Sequence, residues 1–154
     1  MKILAVIPAR SGSKRFPNKN MAKLEGVSLI QRSFESTKGI GEIQDVLFSS
    51  DCEKMIKHAQ DLGMLAPWIR PDQLSDDSAK TSDVVIHALD WYQSEFKRVD
   101  AVLLLQPTSP FRKKTSIQKA IDIMRENNCD SVISVSATHS HPEWCFRLSN
   151  NYLK

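Results

Sequence analysis

Four cationic side chains lie close together in one loop near the N-terminus, directly after a short apolar segment typical of a β-strand. They are Arg10, Lys14, Arg15 and Lys19, and the loop also contains Gly12. Cationic side chains and backbone N–H groups in such a loop bind phosphate oxygens, and glycine lets the backbone approach them closely. The spacing is neither that of a Walker A loop nor that of a dinucleotide-binding glycine loop. The loop therefore predicts a polyphosphate site, and the alternative interpretation is a solvated basic surface loop.

The composition is that of an ordinary soluble protein, with 154 residues, 41% hydrophobic and 25% charged. This length predicts one domain, residues 1–154. A net charge of +3 is too small to indicate a nucleic-acid partner. Three cysteines without a C-x-x-C pair, and no visible export signal, predict a cytoplasmic protein. No apolar stretch reaches the length of a membrane span, so we expect no membrane partner.

Short apolar segments alternate with stretches of helical periodicity, which predicts an α/β fold with a mostly parallel sheet and helices on both faces. Ligands of such sheets bind beyond the carboxyl ends of the strands, near a topological switch point. Asp51 and Thr115 are predicted to cap the second and fourth helices. The predicted strands are 2–7, 45–49, 65–69, 101–105 and 131–135, and the predicted helices are 28–38, 52–62, 82–96 and 116–127.

Four motifs along the chain together resemble those of one enzyme family. They are Pro8–Asn20, Arg70–Ala79, Leu105–Arg112, and the segment 131–135 that leads to His141-Pro142. The chain is similar in these motifs to acylneuraminate (sialic acid) cytidylyltransferases, which are CMP-sugar synthetases. The bacterial branch of that family includes enzymes for legionaminic, pseudaminic and related nonulosonic acids. The resemblance implies a Rossmann-like, three-layer αβα nucleotidyltransferase fold (GT-A-like), of which this chain holds the N-terminal, nucleotide-binding portion.

The resemblance also implies a reaction and its partners. CTP and a nine-carbon 2-keto sugar acid give the CMP-sugar and pyrophosphate, with the anomeric hydroxyl attacking the α-phosphate. Such a transfer needs charge neutralisation and alignment more than covalent catalysis. Mg²⁺ is the implied cofactor, and its acidic ligands are expected beyond Lys154, where family members continue. No metal ligand is therefore predicted within the chain, and a full-length homodimer is expected.

The resemblance assigns three groups of site residues. The predicted triphosphate contacts are Arg10, Lys14 and Lys19, of which Arg10 and Lys19 are the predicted catalytic cations. The predicted contacts around cytosine and ribose are Asn20, Arg70, Ala79 (through its backbone) and Thr81. The predicted sugar-binding residues are Gln106, Thr108 and Ser109.

Several of these residue types also have purely structural interpretations. Arg70 is equally suited to end a strand or to pair with Asp72. The segment 75–78 is suited to an N-terminal helix cap, and 106–108 to a turn stiffened by proline. His87 lies in an apolar helical pattern, which favours packing over catalysis.

Two other functions remain alternatives. A KDO-type cytidylyltransferase has a similar first loop, but it typically reads Pro-Gly-Lys-Pro where this chain has Pro17-Asn18-Lys19-Asn20. It also carries an acidic Gly-Asp-Glu-Pro-like segment where this chain has Gln106-Pro107-Thr108. The other alternative is a non-catalytic nucleotide-binding fragment. The segment 141–146 resembles the branch acting on nonulosonic acids other than N-acetylneuraminate.

Overall fold

A computed structural model describes residues 1–12, 16 and 19–136, and the backbone of 148–149 and 152–153. In chain order the strands are β1 (Ile3–Pro8), β2 (Lys23–Leu24), β3 (Val27–Ser28), β4 (Ile43–Ser49), β5 (Ala101–Leu104), β6 (Leu148–Ser149) and β7 (Tyr152–Leu153). The helices are α1 (Leu29–Glu35), α2 (Glu53–Asp61), α3 (Thr81–Glu95) and α4 (Lys114–Asn127), with short 3-10 turns at Lys19–Met21 and Asp72–Leu74.

The central sheet is parallel and has the strand order β4-β1-β5. Val6 of β1 lies in register with Leu47 on one side and Leu104 on the other. The chain therefore adds β4 to one edge of β1 and later adds β5 to the opposite edge. That reversal makes the carboxyl end of β1 the topological switch point, where open α/β sheets bind ligands.

Helices cover both faces of this sheet, because successive side chains of β1 point in opposite directions. Ile3, Ala5 and Ile7 share one buried apolar cluster with residues of α1, α2 and α4. Leu4 and Val6 share a second cluster with residues of α3. The predicted three-layer αβα architecture is confirmed, with apolar residues buried on both faces of its central strand.

Local sequence explains where several helices begin and end. The Oγ of Ser28 accepts a 3.1 Å hydrogen bond from the backbone N–H of Gln31 and thereby caps α1. The same Oγ lies 2.8 Å from Nε2 of His58, which links α1 to α2. At the other end of the chain, α4 terminates at Asn128 in the left-handed conformation (φ 48°), which asparagine tolerates well.

Two predicted helix caps are wrong. The residue before α2 is Cys52, with no side-chain cap, while the carboxylate of Asp51 accepts hydrogen bonds from Ser11 instead. The residue before α4 is Lys113, so Thr115 lies inside the first turn of that helix. Both predictions used nearby sequence alone, whereas Asp51 has a partner forty residues away in the chain.

Two predicted strands also fail to form as strands. Residues 65–70 do run parallel to β4, with bridges from Leu47 to Leu65 and from Ser50 to Ile69. Pro67 lies between these bridges and has no N–H to donate, so a continuous ladder cannot form.

Residues 131–135 form no strand, and Ile133 and Val135 are 80% and 85% exposed. The β-branched residues at 132, 133 and 135 fit a strand, but no neighbouring strand within the described ranges pairs with them. Among the residues described, no helix is long and apolar enough to cross a membrane.

Candidate functional site

A cavity of about 530 Å³ opens at the carboxyl end of β1. The loops after β1 and β5 form two of its walls, and the segment between residues 70 and 84 forms a third. Arg10 and Lys19 come from the first loop, Arg70 from the third wall, and Gln106 from the loop after β5. The cavity thus lies at the switch point that the strand order defines.

Three side chains, two from distant segments and one from the end of the same loop, hold the backbone at the start of the first loop. Arg70 Nη2 donates to the carbonyl oxygen of Ala9 at 3.4 Å, and Asn20 Nδ2 donates to that of Arg10 at 3.1 Å. The backbone N–H and the Oγ of Ser11 donate to the two carboxylate oxygens of Asp51, at 2.8 and 2.7 Å. Residues 9, 10 and 11 are therefore each fixed by a separate contact.

The side chain of Arg10 reaches the third wall of the cavity. Its Nη1 donates to the carbonyl oxygen of Asp76 at 2.8 Å, and its Nη2 lies 2.7 Å from Oδ1 of Asp77. The side chains of Arg10 and Asp77 are 39% and 51% exposed, so water and salt screen their attraction. An exposed ion pair of this kind contributes about 0–1 kcal/mol to stability.

Arg70 is the most buried cation of the site, with 4% of its surface exposed. Its Nε donates to the Oγ of Ser75 at 3.1 Å. The side chain therefore does not form the alternative ion pair with Asp72 that the sequence also allowed. Burial lowers the pKa of Arg70 from its ordinary value; the negative charge of Asp51 opposes that shift, and the positive charge of Arg10 adds to it. The guanidinium remains protonated, because arginine starts from a very high pKa.

The third wall includes a tight turn organised by Asp76. Its Oδ1 accepts hydrogen bonds from the N–H and Oγ of Ser78, both at 2.8 Å, and from the N–H of Ala79 at 2.7 Å. These bonds lower the pKa of the Asp76 carboxyl, since they favour its charged form. Helix α3 begins only at Thr81, after Lys80. The predicted helix cap at 75–78 is therefore a separate turn that precedes the helix.

The loop after β5 contributes a polar wall opposite these charges. The carbonyl oxygen of Gln106 accepts from the N–H of Ser109 at 3.2 Å and from Nη2 of Arg112 at 3.3 Å. The sequence predicted either a turn or a binding role for residues 106–108. Both descriptions hold, because the turn brings Gln106 and Thr108 to the cavity. Burial lowers the pKa of Arg112, whose buried Nη1 has no hydrogen-bond partner among the described residues.

Most of the predicted site residues converge on this one cavity. Lys14 lies outside the described residues, and Ser109 supports the turn without lining the cavity. The predicted residues that line it are Arg10, Lys19, Asn20, Arg70, Ala79, Thr81, Gln106 and Thr108. The lining residues that the site prediction omitted are Pro8, Ala9, Leu74, Asp76, Asp77, Val84 and Pro107.

The prediction of site residues from sequence also omitted Asp51, although its position at the end of a strand could have indicated it. Asp51 follows β4, the neighbour of β1, and the carboxyl ends of parallel strands meet at one edge of the sheet. That rule brings Asp51 next to the first loop.

The carboxylates near the cavity do not form a metal site. Asp51 is bonded to Ser11, Asp76 to its own turn, and Asp77 to Arg10. In the part of the chain that the structure describes, no group of three His, Cys, Asp or Glu side chains is arranged to hold a metal ion. The described residues do not fit a Mg²⁺ site.

Comparison with known proteins decides the family. The model of a family described as cytidylyltransferase matches residues 4–150. The chain belongs to the cytidylyltransferase family. It is 39% identical to a CMP-N,N'-diacetyllegionaminic acid synthase of Legionella pneumophila, over 94% of this chain and 62% of the relative. It is 34% identical to a pseudaminic acid cytidylyltransferase of Campylobacter jejuni, over 98% of this chain and 65% of that protein.

Sialic acid enzymes of the same family are also similar. An N-acylneuraminate cytidylyltransferase of Streptococcus agalactiae is 32% identical over 97% of this chain and 36% of its own length. These relatives confirm the predicted membership of the nonulosonic acid branch of CMP-sugar synthetases. The chain spans less than two thirds of the length of each of the three relatives.

Solved cytidylyltransferase structures confirm the fold. A CMP:2-keto-3-deoxy-manno-octonic acid synthetase complexed with CTP superposes with a TM-score of 0.67 at 23% identity, covering 83% of this chain and 49% of that one. A cytidylyltransferase from Leptospira borgpetersenii gives 0.62 at 20% identity, covering 82% of this chain and 50% of the other. At this identity the likeness concerns the fold, which is the predicted Rossmann-like nucleotidyltransferase fold.

Proposed function

We propose that this chain is the CTP-binding portion of an enzyme that transfers CMP from CTP to a sialic-acid-like nonulosonic acid and releases pyrophosphate. The supporting observation is the cavity itself, where Arg10, Lys19 and Arg70 meet Gln106 and Thr108 at the switch point of the sheet. The relatives support the same substrate class, because their names refer to CMP-legionaminic acid synthesis and to the cytidylyl transfer to pseudaminic and neuraminic acids.

In this proposal each wall has its own task. Arg10, Lys14 and Lys19 neutralise the triphosphate, and they stabilise the charge that develops as pyrophosphate departs. Asn20, Arg70, Ala79 and Thr81 surround the ribose and cytosine. Gln106, with Thr108 and Ser109 beside it, faces the sugar acid.

The reaction then depends mainly on alignment. The anomeric oxygen forms a bond to the α-phosphorus while the bond from that phosphorus to the leaving pyrophosphate breaks, and the proton of the anomeric hydroxyl passes to solvent water. Bound reactants held in line gain rate because little orientational freedom remains to be lost.

The proposal extends to cofactor, assembly and location. The proposed cofactor is Mg²⁺, which would be held by groups outside the described residues and would supply further neutralisation of the phosphates. The enzyme acts in the cytoplasm, as a homodimer in its full-length form, on CTP and a nonulosonic acid. The domain 1–154 forms one nucleotide-binding unit.

Calorimetric titration of the chain with CTP, ATP, GTP and UTP tests the nucleotide assignment. We expect saturable binding of CTP that exceeds that of the other three nucleotides at least about tenfold, equivalent to about 1.4 kcal/mol. Equal binding of all four would indicate a general polyphosphate site, and no binding at all would overturn the proposal.

Pyrophosphate release tests the sugar assignment. The chain is incubated with CTP, Mg²⁺ and, in separate reactions, legionaminic, pseudaminic, N-acetylneuraminic or 2-keto-3-deoxy-manno-octonic acid. Turnover with one of the first three supports the proposed class, and turnover with the last alone supports the KDO-type alternative. CTP binding without any turnover assigns the chain as a non-catalytic nucleotide-binding unit.

A further inference from the structure

We propose, resting on the CTP site above, that Asp51 is a positioning residue: it anchors the first loop through Ser11 and so directs the guanidinium of Arg10 across the cavity. Asp51 is absent from the cavity lining, so its effect on the nucleotide passes through the loop rather than through contact. The anchor joins the loops after two neighbouring strands, β1 and β4.

The geometry of the anchor is bidentate. Oδ1 of Asp51 accepts from the backbone N–H of Ser11 at 2.8 Å, and Oδ2 accepts from its Oγ at 2.7 Å. Hydrogen bonds to a charged acceptor are stronger than neutral ones, and two together also fix orientation. Since Ser11 directly follows Arg10, this contact fixes one side of the arginine backbone.

The other side of Arg10 is fixed by a second charged group. Arg70 donates to the carbonyl oxygen of Ala9, the residue before Arg10. Burial lowers the pKa of Arg70, and the negative charge of Asp51 opposes that shift because opposite charges attract. The two groups therefore stabilise each other while holding residues 9 and 11, and Arg10 between them extends toward Asp76 and Asp77.

The sign of the expected effect separates positioning from simple electrostatics. Removing a carboxylate near a polyphosphate site reduces repulsion, so electrostatics alone predicts tighter CTP binding when Asp51 is replaced. Loss of an anchor predicts weaker binding, because the loop must then be ordered when the nucleotide binds. The two explanations thus make opposite predictions for one substitution.

The experiment compares Asp51→Ala, Ser11→Ala and the double variant with the unchanged chain by CTP titration. We expect Asp51→Ala to weaken CTP binding about 5- to 30-fold and Ser11→Ala less. The double variant is expected to bind like Asp51→Ala alone, since Asp51→Ala already removes the one hydrogen bond that Ser11→Ala removes. Asp51→Asn keeps an acceptor for the Ser11 N–H and is expected to recover part of the loss.

Asp61→Asn is the matched control. It also removes one negative charge, but from an exposed i,i+4 pair with Lys57 on α2. We expect its CTP affinity and stability to match those of the unchanged chain. Tighter or unchanged CTP binding by a folded Asp51→Ala variant, or fully additive effects of the two substitutions, would overturn the positioning role.

Amide hydrogen exchange provides a readout that needs no nucleotide. The Ser11 amide is expected to exchange at least about tenfold faster in Asp51→Ala than in Asp61→Asn, because its acceptor is lost. Equal exchange would overturn the anchor itself. If the unchanged chain binds no CTP, the proposed function fails, whereas the anchor is still decided by this exchange measurement.

Discussion

Arg10→Ala should separate nucleotide binding from folding. Both members of the pair that Arg10 forms with Asp77 are substantially exposed, at 39% and 51%. Exposed ion pairs contribute about 0–1 kcal/mol, so the free energy of unfolding should fall by no more than about 1 kcal/mol. A hydrogen bond from arginine to a phosphate contributes about 1.5–3 kcal/mol. Loss of that contact corresponds to about 10- to 150-fold weaker CTP binding.

The assay pairs CTP titration with urea denaturation of the same samples. Lys57→Ala is the matched control, because it removes one exposed cation, which lies on α2 and pairs with Asp61. The control should keep its CTP affinity, while that of Arg10→Ala falls about 10- to 150-fold. Asp77→Asn should bind CTP about 2- to 5-fold more tightly, since a competing anion is lost. CTP affinity in Arg10→Ala equal to that of the control would refute the phosphate role, and a stability loss above about 2 kcal/mol would show that the pair is structural.

Three further substitutions test other parts of the structure. Arg70→Met should lower the free energy of unfolding by about 2–3 kcal/mol in urea, because it removes charged hydrogen bonds from a buried site. The unchanged chain should lose stability as the pH rises from 10 to about 12, and Tyr92→Phe should remove that loss. Burial first, and then the bond to Asp45, raise the pKa of Tyr92 to about 12, so only the unfolded chain ionises over that window. Gly39→Ala should cost about 1–2 kcal/mol, because Gly39 has φ +72°, a left-handed conformation that is unfavourable for a residue with a Cβ.

Each of these has an outcome that would contradict it. Unchanged stability of Arg70→Met would mean that the buried guanidinium contributes no net stabilisation. For Tyr92→Phe, thermal melting is compared with the unchanged chain at pH 8 and pH 11, and identical losses at pH 11 would dismiss the tyrosine as their source. For Gly39, the control is Gly41→Ala, whose added Cβ would meet no atom within 4 Å; equal losses in the two variants would contradict the backbone argument.

Apolar periodicity predicted the strands and helices that bury one or two complete faces. The central strand and α3 were found within about two residues because their side chains pack at periods of 2.0 and 3.6. The segment 65–69 departs from prediction at Pro67, where a missing N–H interrupts pairing with β4. Residues 131–135 have the pattern of a buried strand, yet pairing depends on a neighbour that local sequence cannot reveal.

The candidate site was predictable where chain topology brings loops together. Arg10, Arg70 and Gln106 meet because the carboxyl ends of neighbouring parallel strands lie at one edge. The role of Asp51 was not predictable from its immediate neighbours, because a carboxylate before a helix is most simply interpreted as a cap. Its distant partner, Ser11, becomes visible only once β1 and β4 are paired.

The charge balance of the cavity explains why a small net charge is compatible with polyphosphate binding. Three cations, Arg10, Lys19 and Arg70, face two carboxylates, Asp76 and Asp77, so the described lining is only weakly positive. In the proposed site, a triphosphate would compete with Asp77 for a guanidinium that is already extended, so little ordering would remain to be done on binding. Affinity in such a site depends on how rigidly its cations are directed more than on how many there are. The anchoring carboxylate behind the loop is therefore as informative about function as the cations in front of it.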